Sequence, residues 1–91
     1  DSERFPALRI AREVLNEGGS APIVMNAANE IAVAHFLQKE IGFMDIPAVV
    51  ENALANFDHR RPKSLSEVDV LDSEARRVAT AIMTTMSLGG R

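Results

Sequence analysis

The 91-residue chain has no cysteine, which excludes a disulfide framework, a thiolate metal site and a cysteine nucleophile, and suits a reducing compartment. It also lacks any apolar run near the ~20 residues that span a bilayer as a helix. Its start, Asp1-Ser2-Glu3-Arg4, does not have the basic-then-apolar order of a signal peptide. Positive charge is short: 10 Lys and Arg against 13 Asp and Glu leave a net charge of -3. No basic footprint for nucleic acid is expected, and nothing favours an anionic membrane. Glycine occurs as Gly42 and the isolated pairs Gly18-Gly19 and Gly89-Gly90, so a phosphate-cradling loop is absent. There is no initiator Met, and the chain is expected to be cut from a longer polypeptide.

What is present is ordinary for a globular protein: 46% apolar and 25% charged residues, enough for one small core. A single helical domain over residues 1–91 is expected, with residues 1–5 a linker remnant and 87–91 a flexible tail. Pro6, Leu8, Ala11 and Leu15 outline an amphipathic helix over residues 6–17, ended by Gly18-Gly19. Ser20 suits the cap of a second helix reaching about Glu40, with Pro22 in its first turn and Gly42 breaking it. Asp45 is the expected cap of a third helix, along which Ile46, Val49, Val50, Ala53, Leu54 and Phe57 keep helical spacing. After a polar connector over residues 58–64, Leu65, Val68 and Leu71 predict a short helical turn. Asp72 or Ser73 then caps a last helix with Ala75, Val78, Ala79, Ile82 and Met86 on one face. The fold class expected is all-α: a small bundle of about four helices with one buried central helix and a short helical turn before the last.

The central helix holds the main interest. Residues 26–37 are apolar on nearly all sides, the mark of a buried helix, yet they include Asn26, Asn29 and Glu30. Ile31, Phe36 and Leu54 are expected core anchors. A buried carboxylate needs a partner, so Asn26, Asn29 and Glu30 are expected as buried polar structural residues, bonded to free backbone groups at helix ends, with Glu30 also reaching an arginine; the alternative is contact with a ligand or with a neighbouring domain.

Chemistry-bearing groups are otherwise scattered. His35 and His59 are the only histidines, and neither stands three or four residues from a carboxylate as a helical metal motif requires. The serines and threonines have no adjacent His and acid. Arg60, Arg61 and Lys63 read as a solvated loop before a phosphate site. No catalytic, cofactor-binding or metal-ligating residue is therefore expected in the chain.

Several blocks taken in order resemble a known family: Phe5-Pro6-x-Leu8, Gly18-Gly19-x-Ala21-Pro22, Asn26-Ala27-Ala28-Asn29-Glu30-x-Ala32-Val33, Phe36-Leu37, Ile41-Gly42-Phe43 and Asp45-Ile46. Together they are similar to the C-terminal region of 1-deoxy-D-xylulose 5-phosphate reductoisomerases, closely over residues 5–50 and more loosely over 70–86. The resemblance implies a bacterial cytoplasmic enzyme, a homodimer, that uses NADPH and Mg or Mn to form 2-C-methyl-D-erythritol 4-phosphate for non-mevalonate isoprenoid synthesis. It further implies an N-terminal dinucleotide domain and a central metal- and substrate-binding domain as partners of this segment. The family's ligands for metal, cofactor and substrate phosphate have no matching positions here, so the segment alone is expected to be inactive. The competing reading is a stand-alone helical interaction module, or a helix-turn-helix DNA binder turning at Gly42.

Overall fold

The computed structural model describes Ile10 and residues 18–89. Among the described residues there are three helices and no strand: α1 (Ala21–Leu37), α2 (Asp45–Ala55) and α3 (Leu65–Gly89). α1 packs against both others, and α2 also meets α3. The helix expected over residues 6–17 lies outside the described residues, apart from Ile10, which is helical and buried in the core. Of the four helices expected, three lie among the described residues.

Alanine sets how closely these helices approach. Ala21, Ala27, Ala28 and Ala32 of α1, Ala53 of α2, and Ala75 and Ala79 of α3 are all buried, so the contacts are made largely with methyl groups. Larger side chains fill the remaining gaps: Val24, Val49, Leu71 and Met83. The expected anchors Ile31, Phe36 and Leu54 are only partly buried, packed against this core from outside. Alanine carries too little apolar surface to stand out in a periodicity reading, which favours its larger neighbours instead.

Gly18 and Gly19 both have positive φ, 68° and 59°, and turn the chain into α1, where Pro22 occupies the first turn. α1 stops at Leu37, short of Glu40. Lys39 takes the left-handed conformation with φ 64°. Its N–H donates to the Phe36 carbonyl (2.9 Å), and that of Glu40 donates to the His35 carbonyl (3.0 Å). These two bonds close a Schellman-type end, and the contact between the Glu40 carboxylate and His35 Nδ1 joins the same two positions through their side chains. A lysine where glycine is usual hid the stop from the sequence. Left-handed backbone strains a side-chain-bearing residue, so Lys39→Gly should raise stability by about 0.5–1 kcal/mol. An unchanged or lower thermal midpoint would show that the strain is absent.

Two further expectations are corrected at helix starts. Met44, not Asp45, precedes α2; Asp45 lies inside the first turn and its Oδ2 accepts the Gly42 N–H at 2.8 Å. The short turn over residues 65–71 and the last helix are one continuous α3 of 25 residues. Ser64 starts it, accepting the Glu67 N–H at 3.1 Å, while Glu67 reaches back to the Lys63 N–H at 2.8 Å, a capping-box arrangement displaced by one residue. Asp72 bonds to Arg76 one turn on (2.8 Å) and caps nothing. The buried stripe Leu71, Ala75, Ala79, Met83 runs through the supposed break at steps of four, and packing of that stripe outweighs the local preference of Asp72-Ser73 for a helix start.

Candidate functional site

Two polar constellations join the helices. The first lies on the surface between α1 and α3. Arg76 Nη2 donates to Glu30 Oε1 at 3.0 Å and Arg76 Nε to Asp72 Oδ2 at 2.8 Å, while Asn26 Nδ2 donates to Glu30 Oε2 at 3.1 Å. The hydrogen bond to Asp72, followed by that to Glu30, raises the Arg76 pKa above the ordinary arginine value. The guanidinium therefore keeps its charge at any ordinary pH. The expected arginine partner of Glu30 is thus found within the chain.

The expected burial is not. Asn26, Asn29 and Glu30 are exposed, because the side of α1 that enters the core is the one bearing Val24, Ala27, Ala28 and Ala32. Counting apolar residues could not choose between the two sides, since both are rich in them. Exposed ion pairs contribute about 0.2–1 kcal/mol each. Glu30→Ala should therefore cost no more than about 1 kcal/mol in chemical unfolding. A loss of several kcal/mol would mean that the carboxylate is buried after all.

The second constellation lies deeper, where the connector after α2 meets the start of α1. Ser20 is fully buried and makes no side-chain cap bond. Its Oγ lies 2.8 Å from His59 Nδ1 and accepts the Arg60 backbone N–H at 3.1 Å. His59 Nε2 is 2.7 Å from the Leu54 carbonyl. A carbonyl accepts only, so Nε2 carries the proton, Nδ1 accepts from the Ser20 hydroxyl, and the hydroxyl oxygen accepts from Arg60. Among the described residues no buried side-chain nitrogen or oxygen lacks a partner. Beyond this junction, Arg60 holds both carboxylate oxygens of Glu74 at 2.9 and 2.8 Å, donates to the Asp58 carbonyl at 2.7 Å and lies over the Phe57 ring, 5.9 Å from its centroid. The carboxylate of Glu74 is the largest cause of a raised Arg60 pKa.

Nothing in the sequence marked Ser20 and His59 as a pair, since they are 39 positions apart and each has an innocent local reading. Of the basic loop, Arg60 is committed to Glu74, while Arg61 and Lys63 are exposed. Among the described residues, no three His, Asp or Glu side chains group to hold a metal ion. The arrangement suits fastening helices together; no nucleophile, base and orienting acid converge in it.

A pocket of about 260 Å³ between α1 and α2 is lined by Ile10, Met25, Ile46 and Val50 with the amides of Asn26 and Asn29. At the far end of α1, Leu37 is 72% exposed, with Phe43 and Met44 also bare. The Phe43 ring meets that of Phe36 edge-on, with centroids 5.8 Å apart. Among the described residues no helix is long and apolar enough to cross a membrane.

Comparison with known proteins locates the chain. The model of the DXP reductoisomerase C-terminal domain matches residues 1–78. A 1-deoxy-D-xylulose 5-phosphate reductoisomerase of Zymomonas mobilis subsp. mobilis is 52% identical over 86 residues, which make up 94% of this chain and 22% of the relative. That of Rhodospirillum centenum is 49% identical over 83 residues, 91% of this chain and 21% of the relative. A solved Zymomonas mobilis 1-deoxy-D-xylulose 5-phosphate reductoisomerase in complex with NADPH superimposes with a TM-score of 0.88 at 54% identity, over 91% of this chain and 22% of the other. The chain spans about a fifth of the length of these relatives.

Proposed function

The chain belongs to the DXP reductoisomerase C-terminal domain family, and we propose that it is the C-terminal supporting domain of an NADPH-dependent reductoisomerase. The reaction served is the rearrangement and reduction of 1-deoxy-D-xylulose 5-phosphate to 2-C-methyl-D-erythritol 4-phosphate with a divalent Mg or Mn ion, in a homodimeric cytoplasmic enzyme. The observation that carries this reading is the family match over residues 1–78, together with relatives of the same name that align over nearly the whole chain.

The residues here do not fit the metal: no suitable carboxylate and histidine group occurs among those described. No chemical step is assigned to them. The chain's own part is mechanical. Ser20, His59 and Arg60 lock the α2–α3 connector to the start of α1, Arg76 ties α3 to α1, and the alanine core holds the three helices close. The result is a stiff block on which neighbouring domains can be braced.

The test is NADPH oxidation with 1-deoxy-D-xylulose 5-phosphate and Mg or Mn, measured for the full-length enzyme and for the 91-residue chain. The full-length enzyme is expected to turn over and the short chain to remain at background. Turnover by the short chain would overturn the supporting role. An inactive full-length enzyme would overturn the reaction.

A further inference from the structure

At about 3.6 residues per turn, Pro22, Asn26, Asn29, Val33 and Leu37 fall on one side of α1, opposite the buried alanines. All but Val33, which is half-buried, are exposed. An outward helix face normally carries charge, and α3 follows that rule with Glu67, Asp69 and Arg77 exposed. On α1 the single nearby charge is Glu30, and Arg76 and Asn26 already hold it. The Asn29 amide has no hydrogen-bond partner among the described residues, and it stands beside the apolar pocket of Met25, Ile46 and Val50. Leu37, Phe43 and Met44 extend the apolar surface past the end of the helix, beside the exposed Lys39 and Glu40.

Building on the reductoisomerase reading, we propose that this outward stripe of α1 is a docking face for the preceding domains of the same polypeptide. Two observations select that occupant. Relatives continue for nearly four-fifths of their length outside the region aligned here, so a large surface of the same chain is available. The stripe is also small: from Pro22 to Leu37 it is about 22 Å long and one helix wide, roughly 200 Å². A stable interface between separate molecules needs about 800 Å² on each side, whereas a contact within one polypeptide is held at high effective concentration by the chain itself. The face offers apolar side chains with one amide that both donates and accepts. It therefore suits a mainly apolar surface carrying a free backbone or side-chain amide.

Hydroxyl-radical footprinting of the full-length enzyme reads this directly, with Leu65 as the internal reference, since it is exposed and apolar but lies at the start of α3, not on α1. Leu37, nearly as exposed as Leu65 in this chain, is expected to be labelled several-fold more slowly than Leu65, at every protein concentration. In the same enzyme, Leu37→Glu should lower the thermal midpoint and Leu65→Glu leave it unchanged. Labelling of Leu37 as fast as Leu65 in an active enzyme would overturn the docking face while leaving the reductoisomerase reading intact. Protection that vanishes on dilution would also overturn it, by making a second copy the occupant. An inactive but protected full-length enzyme would sink the reaction and keep the interface.

Discussion

Leu71→Ala is expected to cost about 2–5 kcal/mol, and Leu65→Ala, six positions earlier on the same helix, less than about 0.5 kcal/mol. Leu71 is 2% exposed, among the largest fully buried side chains, and it sits where the stripe of α3 enters the core. Leu65 is 84% exposed. The loss at Leu71 combines the transfer free energy of the removed atoms with the cost of the cavity they leave in the core. A domain of this length holds roughly 5–14 kcal/mol in total, so the variant should lie near the edge of folding. Urea unfolding of both variants decides the matter. Equal losses at the two leucines would mean that the stripe has been placed on the wrong side of α3.

The second large effect is expected at Ser20. Ser20→Ala removes the hydroxyl without adding volume to this fully buried site, leaving the Arg60 N–H without its acceptor and His59 Nδ1 without its donor. One buried unsatisfied group costs about 1–3 kcal/mol, and in a domain of this size each 1 kcal/mol lowers the thermal midpoint by roughly 4–8 °C. Ser66→Ala, at an exposed position early in α3, should leave the midpoint nearly unchanged. Were Ser20 only a helix cap, Ser20→Gly would be nearly neutral, since glycine serves as a cap at a cost of a few tenths of a kcal/mol. A loss at Ser20→Gly comparable to that at Ser20→Ala therefore separates the junction from a cap.

These two cases also show where the sequence was sufficient. Helix positions followed from punctuation that acts locally: the glycine pair before α1, Pro22 in its first turn, and the polar connector after α2. The failures came where a local signal had a non-local competitor. Asp72-Ser73 has the chemistry of a helix start, but the stripe from Leu71 to Met83 has a partner surface and keeps the helix whole. Lys39 ends α1 although lysine ordinarily favours continuing, because the chain must turn there for α2 to pack back. Ser20 looked like a cap, and only the return of the connector 39 residues later brings His59 to it.

The Asn26 to Leu37 stretch divides the two kinds of information most clearly. Its composition alone determined that the helix is apolar on more than one side and carried the blocks by which the family is recognised. Which side faces the core was decided by tertiary structure, since the alanines permit close approach and the larger or amide-bearing residues do not. The asparagines and Glu30 accordingly came out on the surface. Glu30 found its arginine across the α1–α3 contact, a pairing that spacing within one helix cannot encode. Helical period and turn chemistry are properties of neighbours in sequence; the choice of buried face depends on what else is present to pack against it.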